Sequence, residues 1–179
     1  MTAMHEKPWS VRARAQARRL ADQYGAEQSL RGYAGAMTAF TAYCGALAAA
    51  GRVAGRKLPA RVEPLDLLVG AAAVFRASRL AAKNSVTAPV RAPFTQYRGP
   101  GAPAETNEEA RGTGVQRTIG ELLTCPFCVS VWATATYSAG LVLMPRATRF
   151  TAAALATLAG ADLLNLSHGY LTRLASGDD

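Results

Sequence analysis

Four stretches almost free of charge, set between segments that hold most of the ionisable residues, constrain this chain more than any other feature. They run from Tyr33 to Ala50, from Leu65 to about Ala82, from Pro126 to Met144 and from Phe150 to about Leu166. A helix needs roughly 20 apolar residues, and no fewer than about 17, to cross ~30 Å of hydrocarbon. The pattern therefore predicts an all-α, multi-pass transmembrane helical bundle. Four helices are expected, or three if the first block does not insert. That block, YAGAMTAFTAYCGALAAA, just reaches the lower limit and is rich in alanine, glycine and threonine. Alanine contributes little transfer free energy, so each block inserts less favourably than a leucine-rich helix.

The polar residues within the blocks carry further expectations. Asp66 lies near one end of the second block, and Arg76, Arg79 and Lys83 near the other. Long basic side chains at a helix end reach the head groups, so these charges mark an interface. In the third block Ser130, Thr134 and Ser138 follow at i+4, a small, weakly polar stripe on which another helix can pack closely. Ala152, Ala156 and Gly160 form a similar stripe in the fourth. Pro145 stops the third block, and Met144 to Arg149 reads as the connection of a tight helical hairpin. Asp162 interrupts the fourth block, where an ionised carboxylate is costly and calls for a partner. Arg76 or Arg79 supplies one if the second and fourth helices touch; a proton or ion path is the functional alternative.

The chain divides into a basic polar arm (1–32), the first apolar block with a basic hairpin (33–64), a membrane domain (65–170) and a polar tail (171–179). The arm includes an expected helix over Ser10 to Leu20 with Ser10 as its cap. The basic hairpin carries Arg52, Arg56, Lys57 and Arg61. Within the membrane domain, residues 84–118 form a long polar connection. Pro89, Pro93, Pro100 and Pro103, with several glycines, rule out a long regular helix there.

A formal charge of +8 points to an anionic partner. No nucleic-acid-binding module is legible, so the lipid bilayer is the expected partner and nucleic acid is not. Oligomerisation through the small-residue stripes is left open, and no small-molecule substrate is identifiable. No secretory signal peptide is read: the first apolar block begins only near Tyr33, without a convincing cleavage site. Counting basic residues favours a cell-membrane protein with a cytoplasmic N-terminus, at the cost of a basic hairpin outside.

Chemistry is confined to GELLTCPFCVSVW, Gly120 to Trp132. Thr124 reads as an N-cap and Pro126 as a first-turn residue, which places Cys125 and Cys128 at i+3 on the helix start. Free N–H groups and the helix dipole stabilise a thiolate there. Three readings stay open: a membrane-tethered thiol–disulfide oxidoreductase, half of a tetrahedral metal site, and two small residues packing at a helix entrance, which is favoured. Phosphate-binding loops, dinucleotide fingerprints and hydrolase signatures are absent from the sequence. An enzyme is thus the less favoured class; no cofactor is predicted, and a metal ion enters only with the metal reading.

The order Phe75-Arg76-Ala77-Ser78-Arg79-Leu80, Pro89-Val90-Arg91-Ala92-Pro93-Phe94, then Gly120-Glu121-Leu122-Leu123-Thr124-Cys125-Pro126-Phe127-Cys128 and Trp132 resembles a bacterial family catalogued as domain of unknown function 1360. The resemblance covers about residues 65–170. It implies a small membrane protein, one member being described as a sporulation protein, and implies no activity. Arg76, Arg79, Arg91, Pro93, Gly120, Glu121, Cys125, Cys128 and Trp132 are the motif positions. Similar proteins usually carry an acidic residue shortly after the Arg-Leu segment, where Asn84 stands here.

Overall fold

The computed structural model describes residues 30–176 together with Gln16 and Arg19, both helical and exposed. The rest of the expected Ser10–Leu20 helix lies outside the described residues. Four long helices dominate: α1 (Leu30–Val53), α2 (Pro64–Ala82), α5 (Pro126–Leu143) and α6 (Pro145–Ser176). Between α2 and α5 lie a 3-10 turn (Ser85–Thr87), a short α3 (Ala88–Arg91), strands β1 (Thr95–Pro100) and β2 (Thr106–Ala110), and α4 (Gly114–Thr124).

Proline sets three of these starts. Pro64, Pro126 and Pro145 each stand at the beginning of a helix, where the missing N–H leaves no hydrogen bond unmade and φ is already helical. The connection expected over Met144 to Arg149 is a correction: only Met144, at φ −139° and ψ 63°, separates α5 from α6. Pro145 stops one helix and opens the next. The fourth helix accordingly starts at Pro145 rather than Phe150 and continues through Ser176, taking in most of the segment expected as a polar tail.

The long helices alternate in direction. Tyr33 of α1 lies beside Glu121, just before α5, and Tyr43 beside Thr136, so α1 and α5 run the same way. Asp66 pairs with Arg149 and Arg76 with Asp162, so α2 and α6 run together in the opposite sense. The central pairings are α2 with α6 and α2 with α5, whereas α1 lies against α5 and α4. Gly70 marks the closest approach of α2 to α5: a Cβ there would enter the ring of Tyr137.

A second correction concerns fold class. The structure is mostly helical but not all-α, because the polar connection holds an antiparallel hairpin with Thr95 opposite Ala110 and Pro100 opposite Thr106. Arg98 is the extra residue where the register shifts between Tyr97 and Gly99. Pro100 takes the last pair of the ladder, the strand position that tolerates a missing N–H.

Burial runs against the usual order for a protein in water. Among the described residues the buried apolar side chains are Ala73, Ala82 and Ala152, while Ser78, Asn84, Arg91, Thr95 and Thr118 are buried polar ones. Leu67, Leu68, Phe75, Leu163 and Leu164 are exposed, Phe127 by 84% and Phe150 by 79%. No residue of α5 is buried, and in α6 only Ala152 is. Both of these helices are long and apolar enough to cross a membrane. α1, which is interrupted by glycine, threonine and tyrosine, and α2, which carries Asp66, Arg76 and Arg79, are not among them.

Candidate functional site

The polar connection folds into a cap over one end of the helices, and Arg91 fastens it. Its guanidinium is 1% exposed and every donor nitrogen is used. Nε and Nη2 donate to the two carboxylate oxygens of Glu108 at 3.0 and 2.6 Å. Nη1 donates to the Ala81 carbonyl (2.8 Å) and to Thr87, and Nη2 also to the Asn84 carbonyl and to Thr106. Ala81 and Asn84 carry carbonyls at or just beyond the C-terminus of α2, which lack partners within the helix. Glu108 further accepts from Thr95 (2.7 Å) and Thr106 (2.9 Å). The Arg91 guanidinium, aided by the two threonine hydroxyls and opposed by burial, holds the Glu108 carboxyl down at about 2.

Other motif residues serve the same docking. Arg79 clasps Glu105 in a fork, Nε to Oε1 at 2.9 Å and Nη2 to Oε2 at 2.6 Å. Arg98 meets Glu109 at 2.9 Å. The carbonyl of Pro93 accepts from Gln116 at 2.9 Å. Asn84 caps the 3-10 turn, its Oδ1 accepting the Val86 N–H at 3.0 Å. Gly120 lets α4 lie on the hairpin, since a Cβ would collide with the Phe94 carbonyl and Ala110.

The cysteines stand where α4 hands over to α5. Proline disfavours helical backbone in the residue before it, and Cys125 is extended at φ −101° and ψ 106°. Its Sγ accepts the Cys128 N–H at 3.2 Å. Cys125 itself is therefore the N-cap, a correction to the expectation for Thr124, whose hydroxyl donates back to the Gly120 carbonyl. Both thiols are free and half-buried. Glu121, one turn earlier, accepts from Arg117 (3.0 Å) and from Tyr33 of α1 (2.9 Å). Trp132, two turns into α5, meets Phe40 edge-on at 5.1 Å and Tyr43 at 5.3 Å between ring centroids. Among the described residues, no group of three or more His, Cys, Asp and Glu side chains gathers to hold a metal ion.

Arg76, not Arg79, meets Asp162: Nε lies 3.0 Å from Oδ2, within ion-pair range but off hydrogen-bond alignment. Among the described residues no helix covers the Thr134–Ser138 part of the Ser130–Thr134–Ser138 stripe; both side chains are exposed and line an open groove beside α2. The sequence alone assigns no role to Glu108, Thr95, Thr106 or Tyr33. One signal was available for the carboxylates: Arg79, Arg91 and Arg98 meet Glu105, Glu108 and Glu109 in the same order along the chain.

Most of these contacts fall within residues 68–168, which match the family described as "Protein of unknown function (DUF1360)". The chain belongs to that family. The DUF1360 match begins in the first turns of α2, takes in the cap, the cysteine pair and Asp162, and leaves α1 outside. "Sporulation protein YjcA" of Bacillus subtilis (strain 168) is 35% identical over 74 residues. That alignment covers 40% of this chain and 63% of the relative's length. No solved structure matches the chain.

Proposed function

We propose that this DUF1360 chain is a multi-pass integral protein of the bacterial cell membrane. In this reading α1, α2, α5 and α6 each cross the bilayer, and its role is carried by packing and binding rather than by catalytic turnover. The observation that carries the reading is the inverted burial: large apolar side chains face outward along the long helices while a guanidinium, a carboxylate and their hydroxyl partners are shut inside the cap. In water such a surface is a liability; in lipid it is the favoured arrangement. With alternating helices, the cap, the start of α1 and the end of α6 share one side in this reading, which the basic residues of the sequence before α1 favour as cytoplasmic. The test is fractionation of cells expressing the full chain. Resistance to alkaline carbonate and flotation with vesicles are expected; quantitative recovery in the detergent-free soluble fraction would refute the reading.

A second reading, thiol–disulfide exchange at Cys125 and Cys128, is favoured by one observation: the Cys125 sulfur accepts the backbone N–H of Cys128 at a helix start, which holds the two free cysteines together. In detergent solution, alkylation of Cys125 at neutral pH about tenfold faster than that of free glutathione supports it. A rate no faster than that of glutathione removes it.

A further inference from the structure

The two helices that the chain joins with its basic hairpin are splayed apart on either side of α5. One apolar trough of about 650 Å³ lies between α2 and α5, lined by Leu67, Gly70, Val74, Tyr137 and Leu141. Another of about 380 Å³ lies between α1 and α5, lined by Cys44, Leu47, Ala48, Ala135 and Ala139. Both volumes fall in the range of small-ligand sites, about 300–1,000 Å³. The two troughs share Ser138 and Val142 as floor and Leu58 at the mouth, so they are two branches of one crevice. Arg61 lines the mouth of the first branch, and Arg52 and Arg56 that of the second.

These three arginines differ from the six that fasten the helices and the cap. Arg76, Arg79, Arg91, Arg98, Arg117 and Arg149 each meet a carboxylate. Arg52, Arg56 and Arg61 are exposed and make no side-chain hydrogen bond or ion pair among the described residues. Of the acids at this mouth, Asp66 is already held by Arg149, which leaves Glu63 alone against three guanidiniums and the neighbouring Lys57.

We propose, resting on the membrane reading above, that this crevice binds one anionic phospholipid, with an acyl chain in each branch and its phosphate held by Arg52, Arg56 and Arg61. Two apolar branches meeting under a cationic mouth match a diacyl lipid with a negative head group. A second copy of this chain fits less well, because a two-fold contact through this face sets the same cations against each other. The bound lipid also accounts for a basic hairpin on the side of the membrane that the charge rule disfavours.

Full-length protein in phosphatidylcholine nanodiscs is titrated with phosphatidylglycerol, and the intact mass of released complexes is read by native mass spectrometry. One phosphatidylglycerol per chain is expected, retained against excess phosphatidylcholine. At about fivefold per cation near a charged head group, Arg52→Gln, Arg56→Gln and Arg61→Gln each weaken retention about fivefold and the triple variant about a hundredfold. Arg98→Gln, in the cap, leaves it unchanged. Ser138→Leu, which fills the shared floor with all cations intact, weakens it too. Equal retention of both lipids, displacement by millimolar inorganic phosphate, or a lipid-free dimer that Ser138→Leu disrupts each overturn the proposal. Wild-type protein that fails carbonate resistance removes the membrane reading itself, whereas resistant protein without lipid preference removes this proposal alone.

Discussion

A buried guanidinium is tolerated only when its donors are all matched, because desolvation costs several kcal/mol per ion. Arg91 meets that condition through Glu108, two threonines and two carbonyls near the end of α2. Arg91→Ala strands the Glu108 carboxylate and is expected to lower stability by about 3–5 kcal/mol. Arg91→Leu combined with Glu108→Leu recovers most of that loss; thermal unfolding of the detergent-solubilised chain compares the three. Glu108 also makes the cap acid-sensitive. Its carboxyl is held at about 2 against an ordinary 4.5. A depressed folded value means the stabilisation is present above about 4.5 and disappears as pH falls towards 2. The loss is on the order of 3 kcal/mol. Protection of the cap from protease should fall over that window in the wild type, and a Glu108→Gln variant should show a flat profile. Gly120 is fixed by space: Gly120→Ala drives a methyl into the Phe94 carbonyl and is expected to cost about 1–3 kcal/mol in the same unfolding assay.

At the scale of elements, the helices were legible because charge spacing and prolines mark their ends in the sequence. Pro126 and Pro145 stand where the structure changes helix. The hairpin was not legible. Its strands, TQYRGP and TNEEA, show neither a hydrophobic alternation nor an Asn-Gly turn, and long-range ion pairs hold them instead. Cys125 as its own cap was missed for a similar reason: Thr124 is the better capping residue by type, but Pro126 forces the extended conformation one residue later. Between α2 and α6 the Arg76–Asp162 pair supplies a test. Asp162→Leu leaves Arg76 unmatched and is expected to destabilise the chain, while Arg76→Leu with Asp162→Leu restores it. A double-mutant cycle with a coupling energy near zero contradicts the pairing. On α1, Phe40→Ala with Tyr43→Ala removes both ring contacts to Trp132, each worth about 0.5–1.5 kcal/mol. Cys44 should then alkylate faster, with the unfolding of α2, α5 and α6 little changed.

For the molecule as a whole, what the sequence could not convey was which side of each helix the structure leaves open. Periodicity in α5 and α6 is weak because their polar and small residues are spread around the helix rather than gathered on one side, so neither a buried face nor a lipid face stands out from residue order alone. The folded arrangement separates them: Gly70 and Ala152 turn inward, Leu68, Phe75, Val131 and Phe150 outward. The central claim is that lipid, not water, meets that outward surface. Single cysteines placed at Leu68, Phe75, Val131 and Leu158 in a chain lacking Cys44, Cys125 and Cys128 test it directly, with a water-borne maleimide applied to native membranes. The account predicts that these positions, exposed in the structure, stay unlabelled until detergent is added, whereas a cysteine at Arg98 in the cap reacts promptly once the membranes are opened. Labelling at all five sites at comparable rates in opened, detergent-free membranes would contradict it.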